Sequence, residues 1–232
     1  MKVAFITGGS RGIGFGIAEA LLRDGWSVTV TGRTEESVQR AVEKLEVVGH
    51  SRVLGVTCDV RQLTDQESAV RKTMDRFGRI DLLVANAGVG HFAPIETMEV
   101  AQWQETIDTN LTGVFFSVKA CLPALMESKG YIITISSLAG TNFFATASAY
   151  NASKFGLTGF TQAIMLDLRK YGIRVSTIMP GSVATDFNGN KHEKDESWKI
   201  QISDIGQMVS DMLRLNPRTL PSKIEVRPSS PG

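Results

Sequence analysis

The stretch Val3-Ala4-Phe5-Ile6-Thr7-Gly8-Gly9-Ser10-Arg11-Gly12-Ile13-Gly14 decides the fold. An apolar, β-branched run leads into a glycine-rich turn, and the spacing of Ile13, Ile17 and Leu21 continues the turn as an amphipathic helix. Glycines let the backbone approach a pyrophosphate closely, and the free amides and positive dipole of a helix N-terminus favour an anion. The stretch therefore predicts a strand, a phosphate-binding turn and a helix.

The glycine spacing alone leaves a second interpretation open. Gly8, Gly12 and Gly14 form G-x-x-x-G-x-G, which departs from the G-x-G-x-x-G of other dinucleotide-binding folds. A plain glycine-rich turn therefore remains the alternative.

The rest of the chain alternates strand-like runs with segments of helical period. Between the early runs, apolar residues three and four apart indicate helix faces directed to a core. This alternation predicts an α/β fold in a single domain over residues 1–232, doubly wound and Rossmann-type, with a seven-stranded parallel sheet, helices on both faces and a flexible tail at 227–232. The seven runs are Val3 to Ile6, Ser27 to Thr31, Val53 to Thr57, Ile80 to Ala85, Tyr131 to Ser136, Ile173 to Met179 and Lys223 to Val226.

Composition excludes several classes of protein. Of 232 residues, 42% are hydrophobic and 21% charged, and the net charge of +1 argues against disorder and against charge-driven nucleic-acid or membrane binding. The two cysteines and three histidines are scattered, so no metal site is expected. We see no signal peptide and no apolar run approaching the ~18 residues of a membrane helix. The expected location is cytoplasmic.

In a doubly wound sheet the ligand crevice lies beyond the carboxyl ends of the strands. Arg33 follows the second run, about 20 residues past the glycines, where an NAD enzyme would carry a carboxylate. A guanidinium there suits a 2′-phosphate, and Arg11 can assist from the glycine turn. These residues predict NADP(H) as the cofactor, with a solvated surface arginine as the alternative for Arg33.

Tyr150 and Lys154 stand four residues apart and share one face if their segment is helical. A cation within ~4 to 6 Å lowers the pKa of a tyrosine from about 10 by roughly one to three units, toward the range useful for proton transfer. An ordinary surface pair is the alternative.

Together these motifs make the chain resemble a short-chain dehydrogenase/reductase from Lys2 to about Val226. Thr7-Gly8, Gly12 and Gly14 match the T-G-x-x-x-G-x-G loop, Asn86-Ala87-Gly88 matches N-A-G, Asn110-Leu111-Thr112-Gly113 matches N-x-x-G, and Ser137, Tyr150 and Lys154 fall at the family's catalytic spacing. The resemblance implies the sheet order 3-2-1-4-5-6-7, an NAD(P) cofactor and a catalytic set of Asn110, Ser137, Tyr150 and Lys154.

The resemblance also implies a role for each member of that set. Hydride passes between the nicotinamide and a carbonyl carbon, Ser137 hydrogen-bonds the carbonyl oxygen, and Tyr150 donates the proton. Lys154 holds the nicotinamide ribose and lowers the pKa of Tyr150, while Asn110 anchors a water that links Lys154 to solvent. Oxidation reverses these roles.

A larger set of residues is expected to bind the cofactor. Within it, Asp59 matches the family's adenine-binding aspartate, with a helix N-cap as the alternative, and Val183 and Thr185 would address the carboxamide. The set is Gly8, Ser10, Arg11, Gly12, Ile13, Gly14, Arg33, Asp59, Val60, Asn86, Ala87, Gly88, Tyr150, Lys154, Pro180, Gly181, Val183 and Thr185.

The glycine loop, Arg33 and the set of Ser137, Tyr150 and Lys154 predict a small alcohol, aldehyde or ketone as the substrate. The candidate pocket residues lie just past the active strands and are mostly apolar. They are Val89, Gly90, His91 and Phe92, then Leu138, Ala139, Asn142, Phe143 and Phe144, then Ser182. His91 either touches substrate or faces solvent, and the polar stretch from Asn188 to Lys199 reads as a loop, either plainly solvated or partly covering the site.

Two further expectations concern partners and activity. The resemblance implies a homodimer or homotetramer formed through helix faces around Gln102 to Met126 and Ala152 to Leu168. The alternative function is an NADP(H)-binding redox sensor without turnover. The complete Asn110, Ser137, Tyr150 and Lys154 set argues against a sensor, because a sensor needs no proton donor.

Overall fold

The structure, a computed structural model, describes residues 1–185, 187 and 196–230. Within them a parallel sheet runs in the order β3-β2-β1-β4-β5-β6-β7, which confirms the order that the resemblance implied. The strands are β1 (Val3–Thr7), β2 (Ser27–Gly32), β3 (Val53–Thr57), β4 (Leu82–Ala85), β5 (Tyr131–Ile135), β6 (Arg174–Pro180) and β7 (Lys223–Val226).

All seven predicted runs reappear as strands whose ends differ by at most two residues from the prediction. The largest difference is in β4, which begins at Leu82 instead of Ile80. Every residue of β1, β2 and β5 is buried, because helices cover both faces of the sheet. This explains why these strands read as continuous apolar runs and not as alternating ones.

The helices divide between the two faces of the sheet. Side chains of α1, α2 and α7 pack in one core cluster, and those of α3, α5 and α6 pack in the other. The helices are α1 (Gly12–Arg23), α2 (Glu35–Gly49), α3 (Leu63–Phe77), α4 (Val100–Ile107), α5 (Gly113–Ser128), α6 (Ser148–Leu168) and α7 (Ile202–Arg214). A π-helical turn, Asp108–Thr112, joins α4 to α5.

The expectation that no segment is long and apolar enough to cross a membrane is wrong. The helical run Val100–Ser128 has 29 residues and a mean hydropathy of 1.2 over its most apolar window. Half of that window is buried in the fold, where Val118, Cys121 and Leu125 belong to a core cluster. Core helices of globular domains pass the same test, so length and composition alone do not separate the two cases.

Two sequence-based expectations fall partly outside the described residues. The polar loop predicted from Asn188 to Lys199 is described only from residue 196 onward, and the last two residues of the predicted tail at 227–232 are likewise not described.

Candidate active site

A cleft of about 390 Å³ opens at the carboxyl ends of β1, β4, β5 and β6. These strands run parallel, so their carboxyl ends lie at one edge of the sheet and the turns that follow them line the cleft together. Its wall contains every residue predicted to bind cofactor or catalyse except Gly14, Asp59 and Asn110. It also contains residues that the sequence analysis did not single out, namely Gly32, Cys58, Thr109, Ile135, Ser136, Phe187, Glu196 and Lys199.

The glycine turn forms the floor of the cleft. Gly8 and Gly12 have φ of +63° and +56°, in the left-handed region that favours glycine. A Cβ on Gly8 would lie 2.8 Å from the Ala87 Cα, so only glycine allows the turn to pack on the loop after β4. Gly14 faces inward instead, because a Cβ there would lie 2.5 Å from Asn86 Nδ2.

Asn86 fixes the turn from the neighbouring strand. Its Nδ2 donates to the carbonyl oxygens of Thr7 and Gly8, each at 3.0 Å, and its backbone amide donates to the Thr7 hydroxyl at 3.1 Å. The first residue of the N-A-G motif therefore positions the glycine turn. This contact explains why the two motifs occur together on adjacent strands.

The residues present fit a dinucleotide phosphate group. Helix α1 begins at Gly12, and neither a side-chain cap at Arg11 nor an acidic residue in the first turn competes for its amides. Residues 10–13 line the cleft beside that helix end, and an anion there meets backbone donors and a positive dipole. At one end of the cleft, Arg11 and Arg33 also line a furrow of about 730 Å³ that includes Arg40 and Lys44.

Helix α6 and the turn after β5 bring the predicted proton donor and its partners together. The Lys154 ammonium donates to the Ile135 carbonyl oxygen at 2.9 Å and lies 5.7 Å from the centre of the Tyr150 ring. The Ser137 hydroxyl accepts from the Ala139 amide at 3.1 Å and donates to the Pro180 carbonyl oxygen at 3.5 Å. All three side chains line the cleft.

The expected lowering of the Tyr150 pKa is wrong for this structure. Burial raises the pKa of Tyr150, and the neighbouring Ser137 hydroxyl offsets this only in part. Burial also lowers the pKa of Lys154 to about 8. Loss of hydration disfavours a charge on either group, and the Lys154 ammonium is directed at a backbone carbonyl instead of the phenol.

Asn110 lies in the π-helical turn and has no exposed surface. Its Oδ1 accepts from the Val89 amide at 2.8 Å, while its Nδ2 donates to the Val89 carbonyl oxygen at 2.8 Å and to the Ser153 hydroxyl at 3.0 Å. Both amide hydrogens are thus used by protein acceptors. In this structure Asn110 ties the loop after β4 to the helix that carries Tyr150 and Lys154.

Charged side chains gather at the end of the cleft that Arg33 lines. The Asp59 carboxylate pairs with Arg61, which holds the pKa of Asp59 below its ordinary value. The alternative reading of Asp59 as a helix N-cap is wrong, because the N-cap position of α3 falls on Gln62. Glu105, which the sequence analysis did not identify, contacts Arg33 at 3.1 Å and His91 at 2.9 Å. His91 is therefore half-buried in an ion-pair cluster and not in the cleft wall.

Aromatic rings surround Tyr150. The Phe92 ring centre lies 5.4 Å from that of Tyr150, and the Phe187 ring centre lies 6.0 Å from it. Phe144 stands 5.9 Å from Phe92, and both are about half exposed. These rings form an apolar border beside the predicted proton donor.

Comparison with known proteins gives consistent results. The family model described as short chain dehydrogenase matches residues 2–196. Trans-4-hydroxycyclohexanecarboxylate dehydrogenase of Sinomonas cyclohexanicum is 38% identical over 79% of this chain and 73% of its own. An uncharacterized oxidoreductase of Staphylococcus saprophyticus is 33% identical over 98% of this chain and 97% of its own.

Among solved structures, an alcohol dehydrogenase from the archaeon Thermococcus sibiricus, complexed with 5-hydroxy-NADP, superposes with a TM-score of 0.93. The two chains are 28% identical, and the match covers 100% of this chain and 99% of the other. The parallel sheet, the glycine turn and this match define a nicotinamide-dependent oxidoreductase. The chain belongs to the short-chain dehydrogenase/reductase family, whose members act on CH–OH and C=O groups.

Proposed function

We propose that this enzyme interconverts an alcohol and a ketone or aldehyde with NADP(H) in preference to NAD(H), using Asn110, Ser137, Tyr150 and Lys154. One observation carries the proposal. The Ser137, Tyr150 and Lys154 side chains line the same cleft that Arg11 and Arg33 line at its other end. A dinucleotide lying along this cleft reaches both groups.

When bound, the nicotinamide supplies or accepts the hydride. Tyr150 is the acid for reduction, because its raised pKa keeps the phenol protonated at neutral pH. Its hydroxyl and that of Ser137 line the same cleft, so both can address one carbonyl oxygen and stabilise the developing alkoxide.

The remaining two residues act by position. Lys154 is fixed by its hydrogen bond to the Ile135 carbonyl oxygen. Its ammonium beside Tyr150 costs folding free energy, since burial lowers the pKa of Lys154 to about 8. Asn110 holds the loop at Val89 against α6 through Ser153. The loop and the helix therefore keep a constant separation across the cleft, which preserves the alignment of the reacting groups.

The substrate class follows from the border of aromatic rings. Phe92, Phe144 and Phe187 present apolar surface around Tyr150. We propose that the substrate carries an apolar substituent, cyclic or aromatic, next to its carbonyl carbon. Such a group would be buried against these rings when the carbonyl oxygen meets the Tyr150 hydroxyl.

The direct test of the cofactor preference is Arg33→Asp. A carboxylate repels a 2′-phosphate and accepts hydrogen bonds from a ribose hydroxyl, so kcat/KM should fall with NADPH and rise with NADH. Arg71→Asp, on the exposed side of α3, makes the same change of charge and should leave the ratio unchanged. An unchanged ratio in Arg33→Asp would remove the 2′-phosphate role.

The reaction itself is tested by absorbance of the reduced nicotinamide with a panel of ketones and aldehydes. Turnover with at least one of them is expected. Tight cofactor binding without turnover of any substrate would instead favour the redox-sensor alternative.

We also propose a cytoplasmic homodimer or homotetramer formed through α4, α5 and α6. Exposed apolar side chains on these helices support it: Trp103, Phe115, Phe155 and Leu166 are 38%, 44%, 43% and 59% exposed. Burial of such residues is a usual driving force of assembly. Light scattering after gel filtration should give a multiple of 25.2 kDa, and Phe155→Glu should lower it.

A further inference from the structure

The Glu105 carboxylate joins three groups that come from three different strand ends. One oxygen lies 3.1 Å from Arg33 Nη1 and 3.7 Å from Arg61 Nη1, and the other lies 2.9 Å from His91 Nε2. Arg33 follows β2, Arg61 follows β3 and His91 follows β4. Glu105 therefore links the turns at the end of the cleft that Arg33 lines to helix α4.

The formal charges of the two arginines and two carboxylates in this cluster cancel. Arg33 and Arg61 carry two positive charges, and Asp59 and Glu105 carry two negative charges, with Arg61 committed to Asp59 through a side-chain pair. Arg33 is the cation predicted to meet a 2′-phosphate, and it lines both the cleft and the basic furrow beside it. Its guanidinium faces a carboxylate already.

We propose that Glu105 is a specificity-determining residue that weakens the preference for 2′-phosphorylated cofactor by holding Arg33. The inference rests on the proposed role of Arg33. A 2′-phosphate that binds Arg33 must displace the Glu105 carboxylate from it, and the lost ion pair lowers the affinity for the phosphorylated cofactor. A cofactor with a free 2′-hydroxyl leaves the pair intact, so Glu105 narrows the difference in affinity between NADP(H) and NAD(H).

The cluster is exposed enough for its charges to be altered without loss of the fold. The side chains of Arg33 and Glu105 are 52% and 30% exposed, and ion pairs of this kind add little to folding stability. Glu105→Gln keeps the shape and length of the side chain while removing its charge. Thermal unfolding of the variant should therefore match that of the original chain within a few degrees.

The experiment measures binding of two probes that need no turnover: adenosine 2′,5′-bisphosphate and adenosine 5′-diphosphate. In calorimetric titrations, Glu105→Gln should tighten binding of the bisphosphate roughly two- to fivefold, the range of an exposed ion pair, and leave the diphosphate unchanged. The control is Glu96→Gln, which removes an equal charge from an exposed position on the loop before α4. It should change neither constant.

A second pair of variants shows whether Glu105 acts through Arg33. In the Arg33→Ala background, Glu105→Gln should no longer change binding of the bisphosphate. Unchanged or weaker binding of the bisphosphate in Glu105→Gln alone would overturn the proposal, as would an equal gain for both probes. A gain that persists in the Arg33→Ala background would also overturn it.

The same measurements separate this proposal from the proposed cofactor preference. Arg33→Ala alone should weaken binding of the bisphosphate relative to the diphosphate. If it does not, the cofactor role of Arg33 is wrong, and the role of Glu105 is wrong with it. If it does while Glu105→Gln has no effect, only the inference about Glu105 is wrong.

Discussion

Replacing Lys154 with methionine should stabilise the ligand-free protein at neutral pH while removing its activity. The Lys154 ammonium is fully buried, and burial lowers its pKa from 10.5 to about 8. At 1.36 kcal/mol per pKa unit, keeping the charge inside the fold costs about 3 kcal/mol below pH 8. Methionine has a similar length and needs no hydration.

Part of the stability that Lys154→Met gains is lost again, because methionine cannot replace the bond that Lys154 donates to the Ile135 carbonyl oxygen at 2.9 Å. An unsatisfied buried carbonyl costs about 1 to 3 kcal/mol. We therefore expect Lys154→Met to raise the free energy of unfolding by roughly 1 to 2 kcal/mol at pH 7. The enzyme would then carry its lysine at the expense of stability, in the manner of many functional sites.

The sign of the pH dependence provides the sharper test. The pKa of Lys154 is lower in the folded chain than in the unfolded chain. The free-energy cost of burying its charge is therefore complete below about pH 8 and disappears as pH rises toward 10.5. Between these values the original chain should gain stability relative to Lys154→Met, until the variant is the less stable of the two. Urea unfolding of both chains at several pH values from 7 to 10.5 measures this difference.

The control for this experiment is Lys72→Met on the exposed side of α3. The difference in free energy of unfolding between this variant and the original chain should not depend on pH in this range. If the difference between Lys154→Met and the original chain is likewise independent of pH, the ammonium is not desolvated and the reasoning fails.

Three further predictions concern the same site. Tyr150→Phe should lower kcat by about 10² to 10⁴ without changing cofactor binding measured by fluorescence, and retained turnover would exclude Tyr150 as the acid. Gly14→Ala should lower the free energy of unfolding in urea by about 1 to 3 kcal/mol, because its Cβ would lie 2.5 Å from a side-chain nitrogen. Gly159→Ala, whose Cβ would have nothing within 4 Å, should instead stabilise α6. Equal changes in the free energy of unfolding for the two variants would contradict this packing argument. Phe92→Ala should lower kcat/KM for an aryl ketone several-fold more than for acetone, while Phe155→Ala should lower neither selectively; the same loss for both ketones would remove the aromatic border as the source of selectivity.

The parts of the fold that local chemistry determines could be predicted from the sequence. Strand ends and glycine positions follow from backbone preferences that a short stretch carries by itself, as at Gly8 and Gly12, where φ is positive. The position of Arg33 follows in the same way, because it is set by the end of a strand. Such signals located most of the cleft wall without reference to distant residues.

Contacts between distant segments could not be predicted in this way. Glu105 lies within α4 with no turn, glycine or strand end to mark it, and it meets Arg33 across 72 positions of sequence. Gly14 was assigned to the cofactor on its motif, yet its inward packing against Asn86 became visible only with two strands in place. Neither contact has a local signal in a single sequence.

The pairing of Tyr150 and Lys154 shows how far helical spacing reaches. Spacing of four residues puts both side chains on one face of α6, and the structure bears this out. Spacing does not determine the charge of the two groups. Burial raises the pKa of the Tyr150 phenol and lowers the pKa of the Lys154 ammonium, so it disfavours the ionised form of each. Burial therefore favours the protonated phenol of Tyr150, which agrees with the proposed role of Tyr150 as the acid. The role proposed for Lys154 then rests on its fixed position beside Ile135, so Lys154→Met should separate stability from activity.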